Sequence, residues 1–118
     1  MAIDLTPLND QAGFIGACIV DSNTGMLLAM EGGGSRLDLE LAAAGNTEVV
    51  RAKRRTIQSL NLKDKIEDIL ISLSTQYHLI RPLESNDSVF LYLALDRKAG
   101  NLALARMAMK KVEQTINL

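Results

Sequence analysis

Gly13-Phe14-Ile15-Gly16-Ala17-Cys18-Ile19-Val20-Asp21-Ser22-Asn23-Thr24-Gly25-Met26-Leu27-Leu28-Ala29-Met30 is the stretch on which the fold turns. Residues 14–20 are rich in β-branched and aromatic side chains, the composition of a strand packed on a pleated surface. Asp21-Ser22-Asn23-Thr24-Gly25 gathers turn formers, whose short polar side chains bond nearby backbone and whose glycine accepts positive φ. Met26–Met30 is apolar again, so the two runs predict a β-hairpin. Upstream, residues 1–12 are polar and interrupted by Pro7, which predicts a turn or a short helix. They show no basic region followed by an apolar core, and so do not read as a signal peptide.

Downstream of the hairpin, Gly32-Gly33-Gly34-Ser35 breaks the pattern. From Leu37 to Leu60 there is no proline, and Leu39, Ala43, Asn46, Val50, Lys53, Ile57 and Leu60 step by three or four, which predicts a helix with one broad apolar face. Glu40, Thr47, Arg51, Arg54, Arg55 and Gln58 fall on the opposite arc. A further edge carries Leu41, Gly45 and Ala52, mostly small residues that let another backbone come close, so this helix has a second packing surface. Ile66–Ser74 alternates, with Ile69, Ile71 and Leu73 on one side and Leu70, Ser72 and Ser74 on the other. Gln76–Pro82 is the next strand, Leu83–Asp87 a turn, and Val89–Leu95 a strand apolar on both faces and therefore central. Asn101 is placed to cap a last helix whose stripe is Leu102, Ala105, Met109, Val112 and Ile116. The order ββαβββα predicts an α+β domain: a single five-stranded antiparallel sheet with helices on both faces, over residues 13–118, preceded by the short segment 1–12.

The chain has 118 residues, 47% of them apolar, enough for one packed domain. Thirteen basic and fourteen acidic side chains give a formal net charge of −1, without the basic excess that a nucleic-acid surface needs. No apolar run approaches the ~20 residues of a bilayer span, so no membrane insertion is expected and the cytoplasm is the expected location.

Few groups are placed for chemistry. Cys18 is the single cysteine, set among apolar neighbours, and reads as a small buried hydrophobe. His78 is the single histidine, on an apolar strand, and reads as structural rather than as a catalytic base; Tyr77 and Arg81 are its nearest candidate partners in an enzyme. Asp21–Gly25 faintly resembles the start of a calcium loop, but its glycine comes one position early and Gly32 stands where the ligand Glu belongs. Gly32–Ser35 followed by Arg36 fits neither the phosphate-loop nor the dinucleotide pattern. No metal, no cofactor and no catalytic activity are therefore expected. The basic run Arg51, Lys53, Arg54, Arg55 scatters around the helix, with Lys53 toward the apolar stripe; it is either a solvated face beside Glu48 or a docking patch for an acidic protein surface.

Several stretches together resemble bacterial Roadblock dynein-light-chain-type proteins: Gly13–Met26, Gln76–Leu83, Leu91–Arg97 and Asn101–Arg106. They occur in the family's order and span nearly the whole chain from Gly13. The family usually begins with an additional helix, for which residues 1–12 leave little room. The resemblance implies a profilin-like fold and a homodimer in which two sheets join edge to edge and the long helices pack antiparallel. Transferred here, the interface would hold Leu41, Gly45, Glu48 and Ala52 of the helix with Asp68, Leu70, Ser72 and Ser74 of the strand Ile66–Ser74. The resemblance further implies a regulator or scaffold for a Ras-like small GTPase; Arg51, Arg54 and Arg55 of the basic run are the candidate contacts to it. A small-molecule-sensing profilin-like domain and a motor or scaffold adaptor without a GTPase partner are the alternatives.

Overall fold

The most apolar strands form the middle of the sheet. In a computed structural model, which describes residues 3–118, strand β1 (Phe14–Asp21) pairs antiparallel with β5 (Val89–Asp96), and both are buried along nearly their whole length. β2 (Met26–Gly32) closes the hairpin on β1, while β4 (Gln76–Pro82) and β3 (Ile69–Ser72) follow on the other side of β5, giving the order β2-β1-β5-β4-β3. All pairings are antiparallel. β2 and β3 are the two edges.

Alternation along the strands sends side chains into two cores. On one face Ile15, Cys18, Val20, Ile80, Phe90, Tyr92 and Ala94 meet helix α1 (Leu39–Ser59) through Leu39, Ala43 and Val50. On the other, Ala17, Ile19, Leu79, Leu91, Leu93 and Leu95 meet Ala105, Met109 and Val112 of helix α2 (Leu102–Thr115). A short 3-10 helix, Thr6–Asp10, with Pro7 in its first turn, adds Leu8 to this second core, and Leu5 joins it there. Each such Leu, Ile or Phe contributes roughly 1.5–3 kcal/mol by leaving water. Both helices are capped: Asn101 accepts from the amide of Leu104, as expected, and Asp38 accepts from that of Leu41.

The hairpin, the two helices and the last two strands stand where the sequence puts them, and two details differ. The strand expected over Ile66–Ser74 is only Ile69–Ser72, because Leu73 and Gln76 close a tight turn that takes Ser74 out of the ladder. The apolar face of α1 is rotated. Thr47 is buried and satisfies its hydroxyl on the carbonyl of Ala43, while Lys53 and Leu60, both expected on the stripe, are exposed. The central strand is Val89–Asp96 and lies beside β1, a pairing that local pattern does not specify.

The glycine run is shaped by crowding. Gly32, Gly33 and Gly34 all have positive φ, and a Cβ on Gly33 would stand 2.8 Å from the carbonyl oxygen of Leu37. The chain reverses there to start α1 directly over β1. At the other reversal, the amide of Gly25 bonds the carbonyl of Asp21, closing the hairpin turn that the sequence predicts.

Candidate interaction surface

α1 lies closest over the β2–β1 side of its sheet face and leaves two features turned outward: its own far side and the free edge of β3. The far side carries Leu41, Gly45, Glu48, Ala52 and Arg55, all exposed, with Leu41 at 70% exposure. A Cβ built on Gly45 meets nothing within 4 Å. Glycine in the middle of a helix costs about 1 kcal/mol relative to alanine. Nothing within the chain requires it at this position. Gly45→Ala is accordingly expected to raise folding stability of the isolated chain by about 0.5–1 kcal/mol, read from chemical denaturation at low protein concentration; a loss of stability would show that the chain itself uses the glycine.

The residues expected on the β3 side divide. Ser72 and Ser74 are exposed, Ser74 in the turn beyond the strand. Asp68 precedes β3 and is held by Arg106 of α2, Nε to Oδ2 at 2.9 Å and Nη2 to Oδ1 at 3.2 Å, so its charge is spent within the chain. Leu70 is half-buried against the α2-side core, because strand alternation turns it inward. What β3 offers outward is its backbone edge, together with Ile69 and Ile71 on the α1 side, both half-buried.

The three arginines also part company. Arg51 donates to the carbonyls of Ser22 (3.0 Å) and Asn23 (2.8 Å) and pairs with Glu48 at 3.3 Å, fastening the β1–β2 turn to α1. Arg54 donates to the carbonyl of Asp87 and fastens the β4–β5 turn. Among the described residues Arg55 makes no hydrogen bond or ion pair, and it alone of the three lies on the outward stripe. Helix periodicity placed all three on one polar arc; the loops that capture two of them come from distant sequence.

Beside α1, on the half of the sheet face it leaves uncovered, runs a polar chain that sequence reasoning missed. The Oε1 of Gln76 accepts from His78 Nε2 at 2.8 Å, and the Tyr92 hydroxyl meets His78 Nδ1 at 3.0 Å, the two rings edge to face at 5.4 Å. Asn46 of α1 approaches the same hydroxyl. Only the alternation that turns Gln76, His78 and Ile80 to one face hinted at it. Burial holds His78 below its usual pKa and pushes the Cys18 thiol up to about 12, so the cysteine is an inert core residue. Burial likewise raises the Tyr92 phenol. With its folded pKa depressed, His78 is protonated more readily in the unfolded chain. Its contribution to stability is therefore fully present above the unfolded value of about 6.5 and is lost as pH falls below it, levelling off once the folded ring takes the proton. Thermal melts through that window should show this decline for the wild type and none for His78→Gln.

The three residues considered for an active site do not converge. His78 faces α1, whereas Tyr77 lies under the Arg97 guanidinium at 5.1 Å and Arg81 pairs with Glu113 of α2, both on the opposite face. An open groove of about 930 Å³ runs between the α1–β3 loop and the β4–β5 turn, lined by Arg54, Ile57, Ile66, Arg81 and Lys110 among others. Its two arginines are already bonded to their own chain. No helix of the described residues is long and apolar enough to cross a membrane.

No protein-family model matches the chain, and no curated protein matches it by sequence. Solved structures do. MglB of Myxococcus xanthus superposes with a TM-score of 0.77 at 20% identity, over 91% of this chain and 83% of that one. A Roadblock/LC7 domain from Streptomyces avermitilis gives 0.79 at 13% identity, over 93% and 88%. The gliding protein MglB of Thermus thermophilus gives 0.75 at 15%, over 93% and 80%. These superpositions, over more than nine tenths of the chain, make this chain's fold the Roadblock type.

Proposed function

We propose that this chain is a homodimeric interaction module that regulates or scaffolds a Ras-like small GTPase in the cytoplasm, with no chemistry of its own. One observation carries the self-association: the outward stripe Leu41–Gly45–Ala52 holds a mid-helix glycine its own chain does not use. Small residues let a second α1 approach closely, and the adjacent β3 edge supplies unpaired backbone groups that a second sheet can satisfy. The Roadblock-type fold supports the same arrangement, and an MglB in a tetrameric arrangement shares that fold at a TM-score of 0.76. The resemblance described above supports a GTPase as partner. Regulation would act by binding one conformation of the switch segments better than the other. Of the arginines first considered for that contact, Arg55 is the one whose side chain is exposed and makes no hydrogen bond or ion pair among the described residues.

Gly45→Lys tests the first half. The side chain has open space, so the fold is unaffected, but two α1 helices can no longer meet. Sedimentation or light scattering at micromolar concentration should give a dimer for the wild type and a monomer for the variant. A monomeric wild type would end the proposal. The partner is tested by pull-down with Ras-like GTPases from the same genome, loaded with GDP or a GTP analogue. Nucleotide-dependent capture, or a changed hydrolysis rate, is the expected outcome; capture of none would leave a self-associating adaptor.

A further inference from the structure

The chain's one histidine sits on the part of the sheet that α1 leaves uncovered, next to the β3 edge where the second copy would join. We propose that His78 makes self-association proton-sensitive: the two copies hold together while the ring is neutral and loosen when it is protonated. This rests on the self-association proposed above and adds its regulation.

The geometry favours one protonation state. With the Gln76 oxygen accepting, Nε2 carries the hydrogen, and Nδ1 is then free to accept from the Tyr92 hydroxyl. Every polar atom of the neutral ring is satisfied. A proton added at Nδ1 turns that contact around: the Tyr92 oxygen must accept, its own hydrogen must swing to another acceptor, and the Asn46 amide beside it must reorient to supply one. Tyr92 is fully buried, so this rearrangement is costly. In a single copy the open side of the ring is hydrated, and water offsets the charge. A second copy laid against Ile69, Ile71 and the flank of α1 removes that water, and the cation loses its compensation. Two copies carry two such rings, so the penalty enters twice.

The surroundings offer the cation little. From β3, Ile71 stands opposite His78, and from β5, Ala94. The titratable neighbours are the Tyr92 phenol and, beyond it, the Cys18 thiol, both neutral near pH 7. α1 presents Asn46, with Lys53 on the same flank about 10 Å further along and exposed. Asp96 is the carboxylate of this stretch, opposite Gln76 at the outer end of the ladder. No ion pair of the described residues includes His78.

The test is the self-association constant by sedimentation at about pH 7.5 and about pH 5.5, for the wild type and for His78→Gln, with circular dichroism confirming the fold at both. The wild-type constant should weaken about tenfold or more on acidification, and that of the variant should stay level. A wild-type dimer whose affinity ignores pH overturns the inference and leaves the dimer standing, as does an equal pH dependence in the variant. Absence of a dimer at both values overturns the dimer and the inference with it. Should His78→Gln fail to fold, the ring-proton titration of wild-type His78 decides: its midpoint must fall as protein concentration is raised, and a concentration-independent midpoint refutes the coupling.

Discussion

Arg81→Leu should cost about 3–5 kcal/mol of folding stability, the range for removing one partner of a buried ion pair. Glu113 is 8% exposed at its side chain, and its two oxygens accept from Arg81 Nε at 2.5 Å and from the backbone amide of Glu84 at 2.6 Å. This carboxylate ties the end of α2 to β4 and to the turn that follows. Without the guanidinium, the charge stays buried with a single neutral donor. Urea titrations would read the deficit directly. Arg81→Leu combined with Glu113→Leu removes both charges and should recover most of the loss, short of the hydrogen bond to Glu84. A single variant with near-native stability would mean that solvent reaches the carboxylate.

Gly33→Ala should be nearly as damaging, at about 3 kcal/mol. Its φ of +79° costs an L-residue roughly 1–2 kcal/mol. The added Cβ would also lie 2.8 Å from the Leu37 carbonyl oxygen and 2.8 Å from Cδ1 of Leu39, the first buried side chain of α1. Both must shift, and with them the Asp38 cap between them. Gly34→Ala is the control: φ is +58° but nothing lies within 4 Å of the new Cβ, so about 1 kcal/mol is expected. Equal losses in the two variants, measured by denaturation, would show that conformation alone and not crowding governs the run.

Much of the candidate surface was legible before any coordinates. Leu41, Gly45 and Ala52 stand out because small residues recur on one side of an otherwise ordinary amphipathic helix, and they do lie outward. Asp68, Arg51 and Arg54 looked equally available, and each is bound by a residue at least 28 positions away or by the backbone of a distant turn. Nothing in the spacing of charges along one helix announces such a partner. The same holds for the chain Gln76–His78–Tyr92, whose members meet because β4 and β5 pair in one particular register.

By itself the amino-acid sequence determined the elements: the hairpin around Asp21–Gly25, the cap at Asn101, and which strand is apolar on both faces. These depend on periodicity and turn chemistry within a dozen residues, which act wherever the chain is placed. Only the tertiary structure decided that β1 lies beside β5, that α1 is turned to bury Thr47 and expose Lys53, and that Glu113 receives Arg81. Those outcomes follow from fitting all elements to one sheet at once. Their energy belongs to contacts between residues tens of positions apart, and no local pattern carries it.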